Sequence, residues 1–166
     1  MRRSMNVGWR CCAAIALGVL CGCETMTVPP EPPGAQRYDL ESASSRLMSE
    51  MLSSAAFKRH HAAIEKAKGS HAVIVVGEIE NCLHNTHPDC EIVRNRVQVL
   101  LNEPGLFDVY MGGFERAFDY QVIGFVKSDY DAANPKREVN PRLHLKIIDA
   151  NSGKIIWSGT QYNLQL

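Results

Sequence analysis

LHLKIIDANSGKIIW, Leu143 to Trp157, is the stretch of sequence that decides the fold. Apolar residues alternate with polar ones from Leu143 to Asp149, which predicts a strand and places His144 on the surface of a sheet. Asn151-Ser152-Gly153 then predicts a tight turn. A second strand follows from Lys154 to about Leu164. The stretch therefore predicts an antiparallel β-hairpin near the end of the chain.

Three further strands are predicted upstream of this hairpin. Ala72 to Ile79, AVIVVGEI, is dense in β-branched residues, which is typical of a buried strand. Leu106 to Met111 and Tyr120 to Lys127 predict the second and third strands, and a polar loop follows. Pro88 and Asp89 indicate a helix start between the first two strands. A helix in that position favours a parallel crossover connection.

Helical patterns account for most of the remaining domain. Asp39 can cap a helix that runs to about Ser53, and Phe57 to Lys68 predicts a second short helix or a continuation, which Gly69 ends. His60 and His61 are expected to be solvated helix residues. Apolar residues repeat at helical spacing in the first helix at Leu40, Leu47, Met48, Met51 and Leu52, and in the crossover helix at Ile92, Val93, Val97, Leu100 and Leu101. The fold class predicted for residues 39–166 is α/β, with a single mixed sheet of about five strands and helices packed on it.

Residues 1–22 have the pattern of a bacterial lipoprotein signal peptide. Arg2, Arg3 and Arg10 precede an uncharged run from Cys11 to Cys21, which at eleven residues is too short to cross a bilayer, since a spanning helix needs about 20. Leu20-Cys21-Gly22-Cys23 resembles a lipobox, which implies cleavage before Cys23 and acylation of Cys23. A plain signal peptide that is cut after another small residue is the alternative.

The mature chain is expected to begin with a lipidated, proline-rich tether, residues 23–38. Glu24 follows the acylated cysteine, in place of the Asp that resembles an inner-membrane retention signal, so we expect the periplasmic face of the outer membrane. Four prolines between Glu24 and Tyr38 favour an extended spacer, which reaches roughly 45 Å at about 3.1 Å per residue. With 15 basic and 18 acidic residues after position 22, the mature net charge is −3, and no nucleic-acid partner is expected.

A loop from Asn81 to Cys90, NCLHNTHPDC, concentrates reactive side chains. A disulfide between Cys82 and Cys90 is our first expectation, because disulfides persist in the oxidising periplasm. Free thiols are an alternative. A metal site made of Cys82, His84, His87 and Cys90 is the weakest one, because structural zinc sites usually take two close ligand pairs that are separated in sequence.

Motifs for catalysis are missing from the chain. It contains no G-x-S-x-G, H-E-x-x-H or G-x-x-x-x-G-K pattern. Asp129 and Asp131 flank Tyr130 and are expected to form turns. We therefore expect no enzyme, no catalytic residue and no cofactor, but a binding domain that is held at a membrane.

Four segments, which follow one another in the expected order of elements, resemble the LpoB family of outer-membrane lipoproteins. They are Asp39 to Ser54, Val73 to Asn81, Asp119 to Ser128 and Leu143 to Trp157. The most specific features are Asn81 at a strand end, Asp119-Tyr120 with Gly124, and the D-x-x-[ST]-G-x-[IV]-x-W hairpin. That hairpin also occurs in lipoproteins of the CsgG type, so it resembles the wider superfamily as much as LpoB.

The resemblance implies a function without chemistry of its own. LpoB lipoproteins activate bifunctional penicillin-binding proteins, which implies such a synthase as the partner and peptidoglycan synthesis as the process. The domain would dock on the synthase and favour its active state. The alternative is a CsgG-like envelope assembly or secretion component, or a structural adaptor lipoprotein.

Overall fold

A computed structural model of the protein describes residues 38–112 and 117–166. The predicted signal peptide, Cys23 and the tether up to residue 37 lie outside the described residues. None of the described helices is long and apolar enough to cross a membrane. The described elements, in chain order, are α1 (Leu40–Ser53), α2 (Ala55–Lys68), β1 (Ala72–Asn81), α3 (Cys90–Asn102), β2 (Phe107–Met111), β3 (Tyr120–Asp131), β4 (Asn134–Asp149) and β5 (Ile155–Gln161).

The described strands form one mixed sheet in the order β2-β1-β3-β4-β5. β1 pairs in parallel with both β2 and β3, and α3 makes the crossover between β1 and β2. β3 pairs with β4, and β4 with β5, in antiparallel register. The predicted α/β fold class, with five strands and a final hairpin, is confirmed.

Local capping explains where the helices begin and end. The Asp39 carboxylate accepts a hydrogen bond from the Ser42 N–H at 2.7 Å, and Asp89 accepts one from the Glu91 N–H at 3.0 Å. Each bond satisfies a backbone donor that has no partner inside its helix. Gly69 ends α2 with a left-handed φ of 70°, a conformation that glycine adopts without steric cost.

The hydrophobic core lies between the helices and one face of the sheet. Burying these apolar side chains is the main favourable contribution to folding. The fully buried members are Ala43, Leu47, Met48 and Met51 of α1, Val93, Val97 and Leu101 of α3, and Ala72, Ile74, Val76, Tyr120, Val122, Val126, Leu143, Leu145 and Ile147 of the strands.

Two predictions about this fold are wrong. Residues 129–140 are not a loop, because β3 continues to Asp131 and β4 starts at Asn134. Residues 128–141, which we name the arm, form a polar hairpin whose strands lack the apolar alternation that marks a buried strand. Ile92, which was assigned to the buried face of α3, is 44% exposed.

Candidate functional site

One face of the sheet is not covered by any described helix, and we name it the open face. Successive strand residues point to opposite sides, and on β3 the side chains of Tyr120, Val122 and Val126 are buried against the helices. Their neighbours therefore project the other way, and register extends this face across the sheet. The open face includes Val75 and Glu80 of β1, Gln121, Ile123, Phe125 and Lys127 of β3, Arg142, His144, Lys146 and Ile148 of β4, and Ser158 and Thr160 of β5.

Phe125 lies in the middle of the open face, and three nitrogen-bearing side chains surround its ring. His144, its register partner on β4, stacks on it with 4.8 Å between ring centroids and 25° between planes. The Nζ atoms of Lys127 and Lys146 lie 4.9 and 5.6 Å from the centroid. Both distances fit a cation–π contact. We name these four residues the Phe125 cluster.

His144 is fixed between two strands. Its Nδ1 lies 2.7 Å from Oγ1 of Thr160, the register partner on β5. Partial burial, followed by the charges of Lys146 and Lys127, lowers the pKa of His144 from 6.5. The imidazole is therefore neutral at pH 7, and the positive charge of the cluster belongs to the two lysines.

An ion pair borders the cluster on one side. The Arg142 guanidinium donates to both carboxylate oxygens of Asp129, at 2.8 and 2.7 Å, and these bonds lower the pKa of Asp129. Asp129 is therefore a strand residue with a bidentate partner, and the expectation that it forms a turn is wrong. The pair lines a depression of ≈ 560 Å³ together with Phe125, Lys127, His144, Thr160 and Tyr162.

A second depression lies on the other side of Phe125. It has a volume of ≈ 550 Å³, and its lining includes Ile123, Lys146 and Glu80. A bulge in β1 shapes this side, because the register between β1 and β3 shifts between Val76 and Ile79. The two depressions and the ring between them form a groove across the open face.

The loop that follows β1, residues 82–89, is fastened to the arm by Glu138. The N–H groups of His84 and Asn85 donate to Oε1 of Glu138, and the Thr86 hydroxyl donates to Oε2 at 3.2 Å. Burial acts to raise the pKa of Glu138, but these hydrogen bonds outweigh it and lower the pKa. Glu138 was not predicted from the sequence, because it lies 54 residues from His84.

Asn81, singled out in the sequence at a strand end, shapes the same loop from within. Its Oδ1 accepts from the Leu83 N–H at 2.9 Å, and its Nδ2 donates to the Thr86 carbonyl at 3.3 Å. The His84 ring also stacks on Tyr130 of the arm, with 5.7 Å between centroids. Asn81 therefore has a structural role in this loop.

The two cysteines of this region are free thiols in the structure, Cys82 exposed and Cys90 half-buried. Burial raises the pKa of the Cys90 thiol, and the nearby Asp89 and Cys82 raise it further. No three His, Cys, Asp or Glu side chains are grouped to hold a metal ion in residues 38–112 and 117–166, so His84 and His87 do not join the cysteines in a metal site there.

The Cys82–Cys90 disulfide stays a prediction. Closing this nine-residue ring would stabilise the fold by about 2.5 kcal/mol on a loop-entropy estimate. Non-reducing mass spectrometry of freshly isolated protein is expected to find the bridge, and two thiols open to alkylation would contradict it.

His61 is buried, contrary to the expectation from sequence, and the His60 side chain is only 33% exposed. His60 lies between Tyr120 and Asp149: its Nδ1 is 3.2 Å from the tyrosine hydroxyl and its Nε2 is 3.0 Å from Oδ2 of the aspartate. His61 is 7% exposed and stacks on Phe57. Phe107 and Tyr120, which also pack against His61, lie on strands that are distant in sequence, so the composition of α2 did not reveal this burial.

The residues that carry the LpoB resemblance hold the fold together. Asp149 accepts from the Ser152 N–H at 2.7 Å and so closes the final turn, while also contacting His60. Asp119 accepts from the Val73 N–H and from Lys68, both at 2.7 Å. Their hydrogen bonds explain why these residue types stand at these positions, and they assign no partner.

No protein-family model matches the chain, and no curated protein matches it. Some solved structures do match the chain. The LpoB C-terminal domain from Escherichia coli is 15% identical and has a TM-score of 0.49, and the match covers 77% of this chain and 100% of that one. The NMR structure of E. coli LpoB is 16% identical and has a TM-score of 0.48, and the match covers 100% of this chain and 84% of that one.

A PelC dodecamer from Paraburkholderia phytofirmans is 23% identical with a TM-score of 0.41, and the match covers 55% of this chain and 71% of that one. The solved structures similar to this chain thus include LpoB domains.

Proposed function

We propose that this protein is a lipoprotein anchored at the periplasmic face of the outer membrane, whose domain binds a bifunctional penicillin-binding protein and activates it allosterically. The observation that carries the proposal is the open face. A grooved, partly apolar sheet surface that no described helix covers is suited to binding another protein. The LpoB-like motifs support the choice of partner.

The anchor in this proposal is Cys23. Each buried methylene adds about 0.8 kcal/mol of membrane affinity, and stable attachment takes more than one acyl chain. An acylated amino-terminal cysteine satisfies that requirement, and the tether then leaves the domain free in the periplasm.

Activation would proceed without a reacting group from this chain. A bound effector shifts the synthase toward its active state only as far as it binds that state more tightly than the inactive one. A tenfold shift in that equilibrium requires about 1.4 kcal/mol of differential binding free energy.

Crosslinking in intact envelopes, followed by purification of the lipoprotein, tests the proposal. We expect a bifunctional penicillin-binding protein to be enriched, and the purified lipoprotein to raise glycan polymerisation and peptide cross-linking by that synthase. Enrichment of secretion or appendage proteins, or a large ring on sizing of the mature protein, would favour the CsgG-like alternative.

A further inference from the structure

β5 forms one edge of the sheet and has a strand on one side only, because the order of the described strands ends with β4 and β5. On its outer side the described residues offer a single β-bridge, from Tyr38 to Leu164, which lies beyond the end of the strand. The outward backbone groups of Ile155–Gln161 therefore have no strand partner in the described part of the chain. A row of such groups is a template for another strand.

The sequence of β5, IIWSGTQ, lacks the features that protect edge strands from pairing. It contains no charged residue and no proline, and both are common protective devices at a sheet edge. The opposite edge strand, β2, is different, because it is only five residues long and includes Asp108. β5 is therefore the edge that is more open to pairing.

Two exposed apolar side chains flank this edge. Ile155, the first residue of β5, and Tyr162, which follows its last residue, are each 54% exposed. Ile155 lies opposite Ile148 of the open face. Tyr162 lines the depression beside Phe125 on the same face. β5 thus has an apolar side chain at each end, on one side of the sheet.

The register with β4 places these two side chains symmetrically about Gly159. Gly159 pairs with Leu145 and Ile155 pairs with Ile148, three positions along β4, because a bulge takes up the additional residue of β5. In the other direction the pairing is regular, so Tyr162 also lies three positions from Gly159. An antiparallel copy of β5 centred on Gly159 would therefore bring Ile155 of one copy against Tyr162 of the other at both ends.

We propose that two copies of this protein pair through β5, in antiparallel register about a two-fold axis at Gly159. In such an isologous interface a residue i of one copy contacts j of the other, and j contacts i. Ile155 and Tyr162 have this relation. An uncharged strand is also suited to a copy of itself, because it places no charge opposite a like charge.

The pairing defines the shape of the dimer. Its axis is perpendicular to the sheet, so the two sheets become continuous and the two open faces lie on the same side. Tyr38 limits the interface, because it occupies the edge beside Leu164. The dimer is inferred from β5 alone and does not depend on the proposed function.

The first test is sedimentation equilibrium of the full mature chain carrying Cys23→Ser, with a reductant so that Cys82 and Cys90 cannot cross-link copies. We expect a monomer–dimer equilibrium, and slower hydrogen exchange in β5 at higher protein concentration. A monomer that persists at millimolar protein, or a large ring, would overturn the proposal. Protection of β5 that is equal at all concentrations would assign the edge to a segment of the same chain and would also overturn it.

A charge on the edge provides the second test. Ser158 is exposed and lies next to the axis, and its register partner on β4 is Lys146, so a glutamate there is accommodated in the single chain. In the dimer the two glutamates would repel each other, and Ser158→Glu is expected to weaken association at least about tenfold. Ser70→Glu, the same change at an exposed position outside β5, is the matched control. Equal weakening in both variants would count against pairing through β5.

The third test examines the register with Ile155→Lys and Tyr162→Glu, both at exposed positions. Each variant alone loses both end contacts and should dimerise about tenfold more weakly. A mixture of the two should recover a mixed dimer, because one end then pairs lysine with glutamate and the other keeps Ile155 against Tyr162. A mixture as weak as the single variants would overturn the proposed pairing.

Thermal unfolding checks that each variant is folded. None of these measurements involves a synthase, whereas the envelope crosslinking that tests the proposed function does not require a dimer. Either proposal can therefore fail while the other stands.

Discussion

At the scale of single residues, His61 combines burial with a titratable ring. It packs against Phe57 and Phe107, and neither ring nitrogen has a hydrogen-bond partner within the described structure. Burial lowers the pKa of His61 from 6.5. Smaller effects on this pKa come from the nearby titratable groups of Glu65, His71, Asp119 and His60.

This burial predicts an acid-sensitive fold. The folded state holds His61 neutral, so the unfolded chain binds more protons between the lowered pKa and the ordinary value of 6.5. The free energy of unfolding is therefore expected to stay constant above pH 6.5 and to fall as the pH drops below 6.5. His61→Phe, which keeps an aromatic ring in place, should lessen the fall between about pH 7.5 and about pH 5.5 in urea unfolding.

The control for this prediction is His87→Gln, because His87 is exposed. It should leave the pH dependence as it is in the parent. If His61→Phe leaves the pH dependence of the free energy of unfolding unchanged, another titratable group causes the acid sensitivity and the prediction is wrong.

Gly124 makes a close approach possible between β3 and β4. A Cβ at this position would lie 2.5 Å from Cδ2 of Leu145 and 2.6 Å from the His144 carbonyl oxygen. Gly124→Ala is therefore expected to lower the free energy of unfolding by about 1–3 kcal/mol in urea denaturation. Gly77→Ala, whose nearest contact would be 3.1 Å, should cost less, and equal losses would contradict this account.

At the scale of elements, Glu138 joins two segments that are distant in sequence. Its carboxylate holds loop 82–89 to the arm through the N–H groups of His84 and Asn85 and the hydroxyl of Thr86. Charge-assisted hydrogen bonds of this kind are stronger than neutral ones. The position of the loop therefore depends on the arm.

Removing this carboxylate should release the loop without unfolding the domain. Glu138→Ala is expected to speed hydrogen exchange at the amides of His84 and Asn85 about tenfold, because each loses its acceptor. Exchange in the buried strand β1 should stay as it is. Glu103→Ala, at an exposed position, is the control. Unchanged hydrogen exchange at His84 and Asn85 in Glu138→Ala would contradict the role of Glu138 in holding the loop.

At the scale of the whole molecule, Tyr38, the first described residue, lies at one end of the sheet. Tyr38 forms an isolated β-bridge with Leu164. The Leu164 N–H donates a hydrogen bond to the Pro141 carbonyl oxygen at 3.1 Å. This is the end from which the arm extends. In the proposed function, a predicted tether of roughly 45 Å at that end would keep the domain near the outer membrane, and the synthase would have to extend outward to meet it.

Anchoring itself is predicted to depend on one thiol. Cys23→Ser should abolish incorporation of radiolabelled fatty acid and move the protein from the membrane fraction to the soluble fraction, because no acyl chain can then be attached. Cys82→Ser is the control and should remain labelled. Unlabelled wild-type protein in the cytosol would contradict both the lipobox and the proposed location.

The sequence by itself determined the local features of this protein. The cap at Asp39, the stop at Gly69 and the turn at residues 151–153 each depend on groups a few residues apart, and the structure reproduces them. Apolar periodicity likewise placed most of the strands and the crossover helix, since period 2 and period 3.6 are legible along the chain.

Only the tertiary structure decided which side chains meet. The Phe125 cluster exists because register sets Phe125 opposite His144 and Ile123 opposite Lys146. Glu138 reaches a loop more than 50 residues away, and His61 is buried by rings from β2 and β3. The physical reason is that register and burial arise from packing between distant segments, which no local pattern of residues encodes.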